Sequence, residues 1–233
     1  MRLATLFLTL GCVLTVHAQE RVFESEPTRT HLIELFTSQG CSSCPPAEAW
    51  LSKLRNEPRL WKDFVPVAFH VDYWDRLGWR DPFAAKEWTA RQYRYSETWN
   101  NESVYTPGFV LDGREWLGRS IPSAASEKPG ALKLAIDDKK LVASFVPTDG
   151  VVKDVDLHVA TLGFDLTTRV GAGENSGRSL RQDFVVLSLA NEKISGGKGE
   201  IPFVADARGG AIAAWITASD HIEPIQAVGG WLK

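Results

Sequence analysis

A chain of 233 residues is long enough for one large domain or two modest ones, and its 44% hydrophobic and 24% charged content is that of a globular protein. A net charge of −3 supplies no basic field for nucleic acid or an anionic membrane surface, so neither is expected as a partner. Nine tryptophans, seven of them between Trp50 and Trp116, suggest a large core, an aromatic-lined groove, or both.

In chain order, Arg2 opens a short positive region, residues 3–16 are apolar apart from Gly11 and threonines, and Val16-His17-Ala18 reads as a small-x-small cleavage site. Residues 1–18 are therefore expected to be a signal peptide, which makes the protein secreted or periplasmic with no membrane span in the mature chain. An alternative is lipidation of Cys12, which Thr9, three places upstream, disfavours. Cleavage after Ala18 leaves two cysteines, Cys41 and Cys44. A bond across two residues closes almost no loop and adds little stability, so a reactive pair is the better reading in an oxidising compartment.

Residues 31–37 (HLIELFT) form a short apolar run suited to a buried strand, and Gln39-Gly40 turn the chain into Cys41. A helix follows, with Ala47, Trp50, Leu51 and Leu54 on one stripe and Pro45 and Pro46 in its first turn. Residues 65–71 (VPVAFHV) read as a second strand. Asp81-Pro82 reads as an N-cap and first helical position, opening a helix to about Trp99. Its Trp88, Arg91, Tyr93, Arg94 and Tyr95 suggest a core face opposite a solvated one. Thr106-Pro107 precedes a hairpin over 109–117 turned at Asp112-Gly113, and a short helix is expected over 120–126.

Cys41, placed before a helix, is expected to be ionised by unpaired N–H groups and the helix dipole, and so to act as nucleophile. Cys44, one turn on, would resolve a mixed disulfide, and the small Ser42 and Ser43 would leave the sulfurs open. A structural disulfide or half a metal site are the competing readings.

The order strand, Cys-x-x-Cys helix, strand, helix, X-Pro, hairpin, helix resembles the thioredoxin superfamily. Residues 35–46 (LFTSQGCSSCPP), 69–74 (FHVDYW) and 105–107 (YTP) further resemble a secreted bacterial family of unknown function, across nearly the whole mature chain. The resemblance implies an α/β (α+β) fold: a thioredoxin-like domain at 28–127, then an antiparallel β-rich, sandwich-like domain at 131–233. It also implies a cis Thr106–Pro107 bond beside the dithiol, with the Thr106 backbone guiding an extended substrate. Glu34 lies near the place where thioredoxins keep a buried carboxylate, one residue farther from the first cysteine. It is either a proton acceptor for the resolving cysteine or a solvent-facing side chain. Asp72, with Tyr73 and Trp74, follows the second strand and either relays protons beside the dithiol or serves as a loop residue.

The second half carries strand patterns at 131–136, 141–146, 155–162, 184–189 and 211–217. Its glycine-rich 171–177 (GAGENSG) lies between strands and reads as a flexible hairpin loop rather than a phosphate loop. The leading expectation is an exported thiol–disulfide oxidoreductase without cofactor, acting on protein thiols or disulfides with a separate redox partner. A copper-handling protein using Cys41 and Cys44 with His70 or Asp72, and a non-catalytic adaptor, are the rivals.

Overall fold

A computed structural model describes residues 20–117, 120–137, 139–204 and 206–232. The expected signal segment, with Cys12, lies outside the described residues. The first half contains β1 (Arg21–Glu24), β2 (His31–Thr37), α1 (Pro45–Lys53), β3 (Phe64–His70), α2 (Lys86–Thr98), β4 (Gly108–Leu111) and β5 (Arg114–Trp116). The second contains β6 (Gly130–Ile136), β7 (Lys140–Pro147), β8 (Val155–Gly163), β9 (Leu166–Arg169), β10 (Ser179–Gln182), β11 (Val185–Ile194), β12 (Lys198–Pro202), β13 (Gly209–Ala218) and β14 (Pro224–Trp231).

The fold corrects the sequence expectation. The protein is mostly β, with two α-helices among the described residues, and not a thioredoxin-like α/β domain followed by a separate β domain. Strands of both halves build one eight-stranded sheet in the order β14-β13-β8-β11-β3-β2-β4-β5. The halves meet where β11 runs parallel to β3, pairing Val185 with Ala68, and Ala68 N–H donates to the Phe184 carbonyl (2.8 Å). A four-stranded sheet, β1-β6-β7-β12, lies apart from it. The lead segment before residue 31, without strand pattern in the sequence, contributes β1, which pairs with β6.

The composition of β13 explains why the halves do not part. A strand buried along nearly its whole length needs cover on both faces, which a small sandwich with one wet face does not give. Its alternate residues Ala211, Ala213 and Trp215 enter the core beneath α2 with Phe69 and Trp88. Ile212, Ala214 and Ile216 enter a second core with Leu132 and Leu134 of β6. The large sheet is thus the middle layer: α2 covers one face, reached by Glu34 and Phe36, and the other is shared by α1, reached by Thr37, and the smaller sheet.

Two local expectations are also corrected. Helix α2 begins at Lys86, because the Asp81 carboxylate is drawn inward by His70 and receives Phe83 N–H in a turn instead of capping a helix at Pro82. Residues 120–126 form no helix. No helix of the described residues is long and apolar enough to cross a membrane.

Candidate functional site: a dithiol turn over a buried polar cluster

Cys41 and Cys44 are free thiols in the turn between β2 and α1, where Cys44 N–H donates to the Cys41 carbonyl (3.3 Å). Cys44 is the N-cap of α1, and Pro45 and Pro46 follow as its first residues. Two prolines remove the N–H groups that a helix mouth would otherwise present. The donors that serve Cys41 are therefore those of its own turn together with Thr106, in place of the expected unpaired N–H groups at the mouth of α1. The Cys44 thiol is the chief of them, burial works against it, and the Ser43 hydroxyl (3.2 Å), Thr106 and the Ser43 N–H add to it, together lowering the Cys41 thiol to about 6. Cys44 moves the other way: burial, then its bond to Cys41, holds its thiol far above the ordinary range. Cys41 is only 1% exposed, so the expected openness of the sulfurs is not found, although Ser42 and Ser43 lie at the surface.

The Thr106–Pro107 peptide is cis, and Thr106 is beside the dithiol: as a thiol Cys41 donates to its carbonyl (3.7 Å). The loop after β3 holds Thr106 in place, since Trp74 Nε1 donates to Thr106 Oγ1 (2.8 Å). An open groove of about 370 Å³ is lined by Pro107 and Ser43 together with Pro46, Trp50, Tyr105, Phe109 and Trp116. Trp50 meets Phe109 and Trp116 edge-on at centroid distances of 5.3 and 5.5 Å, which makes that lining rigid.

Two predicted residues are engaged elsewhere. Glu34 is fully buried, but its carboxylate takes Arg91 Nε (2.6 Å) and the Tyr95 hydroxyl, both from α2. Asp72 accepts from Thr89 Oγ1 (2.6 Å), near the start of the same helix.

The buried carboxylate under the dithiol is Glu48, which the sequence reading missed. It lies on α1 one turn after Cys44, and Thr37 Oγ1 donates to its Oε1 (2.7 Å). Thr37 also borders the Cys44 sulfur, where its hydroxyl favours the thiolate against the larger effect of burial, so its one proton serves either Glu48 or that sulfur. Burial raises the Glu48 carboxyl above its ordinary value, against the pull of His70, Thr37 and Gln182. His70 is fully buried; burial would lower its pKa, but Asp81 at 2.7 Å and, less strongly, Glu48 outweigh this and raise it. Asp81 also accepts Gln39 N–H (2.8 Å), tying the cluster to the segment that leads into Cys41. A signal for Glu48 did exist: an acidic residue on the otherwise apolar inner side of α1, four places after Cys44. With His70 held by Asp81 and Asp72 by Thr89, no group of three His, Cys, Asp or Glu side chains among the described residues is arranged to hold a metal ion.

The second half completes the site. Loop 171–177 lies against the dithiol turn: Asn175 Nδ2 donates to the carbonyls of Gln39 (3.0 Å) and Cys41 (2.8 Å), and Glu174 Oε2 accepts from Ser42 N–H (2.9 Å) and Oγ (2.8 Å).

Fold and site together define a mixed-sheet protein with an asymmetric dithiol in a Cys-x-x-Cys turn. Residues 32–211 match the family described as a protein of unknown function, DUF1223, and the chain belongs to that family. Among solved structures it is similar to protein AGR_C_4864 from Agrobacterium tumefaciens, with 27% identity and a TM-score of 0.65 over 88% of this chain and 94% of that one. It is similar in fold alone to HBP35 of Porphyromonas gingivalis, with 12% identity and a TM-score of 0.57 over 87% and 75% of the two chains. Among curated proteins none matches the chain.

Proposed function

We propose that the protein is an exported thiol–disulfide oxidoreductase that exchanges disulfides with protein substrates through Cys41 and Cys44. The observation that carries this reading is the asymmetry of the two sulfurs. One is held ready as a thiolate by donors of its own turn and by Thr106, and the other is kept protonated by burial near a hydrogen-bonded carboxylate. That division suits a nucleophile and a resolving thiol.

In the reducing direction, the Cys41 thiolate attacks one sulfur of a substrate disulfide. The Cys41–substrate bond forms, the substrate disulfide breaks, and the second substrate sulfur leaves as thiolate. Cys44 then passes its proton through the Thr37 hydroxyl to Glu48, attacks Cys41 and expels the first substrate sulfur as thiolate. Two cysteines are oxidised and one substrate disulfide is reduced; the same steps run backwards from the disulfide form. At 1% exposure Cys41 meets a protein disulfide only after a local opening, and the groove beside Pro107 offers an apolar seat for the chain that carries it.

The test is trapping. Cys44→Ser protein, incubated with a disulfide-bonded model protein, is expected to accumulate a mixed disulfide on Cys41, and Cys41→Ser protein none. Insulin reduction is expected to need both cysteines. Equal insulin reduction by wild type and Cys41→Ser, or no adduct on Cys41, would overturn the proposal.

A further inference from the structure

The grip of loop 171–177 on the dithiol turn is not required by the chemistry just described, yet it falls on a single peptide group. The carbonyl of Cys41 receives Asn175 Nδ2, and the N–H of Ser42, the other end of the same peptide unit, is taken by Glu174. In a trans peptide these groups point in opposite directions, so two consecutive loop residues straddle one peptide plane. Asn175 is fully buried and its own Oδ1 accepts from Arg178 (2.7 Å), which fixes the amide so that its nitrogen faces the turn. The loop can bend this tightly because Gly173 and Gly177 take φ of 76° and 81°.

We propose that Glu174 and Asn175 are positioning residues for Cys41, setting the orientation of the Cys41–Ser42 peptide and with it the donors that the next residue presents to the sulfur. The inference rests on the reading of Cys41 as an activated nucleophile. The link is direct in the chain. With the 41–42 peptide held at both ends, the Ser43 N–H and hydroxyl that follow it are directed at the Cys41 sulfur. Release of the grip lets the plane rotate, and the donors turn away. The titratable groups around the sulfur are Cys44 in its own turn, Tyr73 from the loop after β3, and Glu174 from the gripping loop.

The experiment is the pH profile of Cys41 alkylation by iodoacetamide in the reduced full-length protein, read as the mass of the Cys41 peptide. Glu174→Gln removes the charge but keeps an acceptor for Ser42; Glu174→Ala removes both. Comparison of these two exposed-site variants cancels the lost charge and leaves the grip. The Glu174→Ala profile is expected to lie about half a pH unit or more above that of Glu174→Gln, and Asn175→Ala to lie above wild type in the same sense. The reduction potential of the Cys41–Cys44 couple in Glu174→Ala should lie on the reducing side of that in Glu174→Gln, because a thiolate less well held stabilises the reduced form less. Coincident profiles for Glu174→Ala and Glu174→Gln would overturn the proposal even if Asn175→Ala fails to fold. A wild-type profile centred on the ordinary thiol value would instead remove the activated-nucleophile reading, and is seen separately.

Discussion

Glu48 has a dual character at the scale of single residues. Its carboxylate is buried one turn behind Cys44, costly to ionise and bonded by the Thr37 hydroxyl, which also borders the Cys44 sulfur. A group whose folded-state pKa is raised above its ordinary 4.5 binds its proton more tightly folded than unfolded. The folded state therefore carries a penalty above the raised value, relieved as pH falls through that value and gone below the ordinary one. Glu48→Gln is expected to melt above wild type at pH 8, with the difference closing as pH approaches 4. Thermal melts across that range check it, and a variant less stable at every pH would contradict it. In exchange, the same variant should form its mixed disulfide on Cys41 at the wild-type rate but resolve it about 100-fold more slowly, the magnitude of a lost proton acceptor. Stopped-flow decay of the adduct reads this directly; slowing of the first step instead would place Glu48 outside the relay.

Among the elements, α2 shows how a polar contact fastens a helix. Arg91 passes into the core, its guanidinium on the Glu34 carboxylate and within 5.5 Å of the ring centres of Phe69, Tyr95 and Trp215. A buried charge deprived of its partner is strongly unfavourable, whereas an apolar pair of similar volume is nearly neutral. Arg91→Met and Glu34→Leu are each expected to cost about 3 kcal/mol in urea denaturation, and the two together less than the sum of the singles. Single losses below about 1 kcal/mol would mean that the pair does not hold the helix. The same pair marks the limit of what the chain discloses one segment at a time. The stripe that makes α2 a helix, the buried runs of β2 and β3 and the hairpin of β4 and β5 are local patterns, and they were legible. So were Cys41 and Cys44, three positions apart in one motif, whereas Thr106-Pro107, 65 positions from Cys41, was set beside the dithiol by the family resemblance alone. Glu34 read as a dithiol carboxylate because nothing local shows that Arg91, 57 positions on, claims it. Loop 171–177 read as a free hairpin because its partners, Gln39, Cys41 and Ser42, lie more than 130 positions away. Contacts at such separations leave no periodic trace, and the parallel join of β11 to β3, which decides the fold, is of that kind.

That join bears on the whole molecule, because it makes the two halves of the chain one folding unit. Without β11, strand β3 would present an unpaired edge, and without β13 the faces of Phe69 and Trp88 would lose Trp215. A second fastener is Gln226 of β14, fully buried, which accepts Thr30 N–H (2.7 Å) and donates to the carbonyls of Glu26, Thr28 and Gly130. These contacts join the lead segment, the start of the second half and the last strand through one side chain. Residues 20–127 alone are therefore expected not to fold: they would expose an apolar sheet face and a strand edge, and collect as aggregate. In the intact chain, urea unfolding is expected to be a single transition. Tryptophan fluorescence reports mainly the first half, where seven of the nine tryptophans lie, while far-UV circular dichroism reports the strands of both halves. Superposition of the two curves is the outcome that a shared sheet demands. A dichroism transition preceding the fluorescence one, or a 20–127 fragment with native tryptophan emission, would show that the first half stands alone and that the sheet is assembled from two independent units.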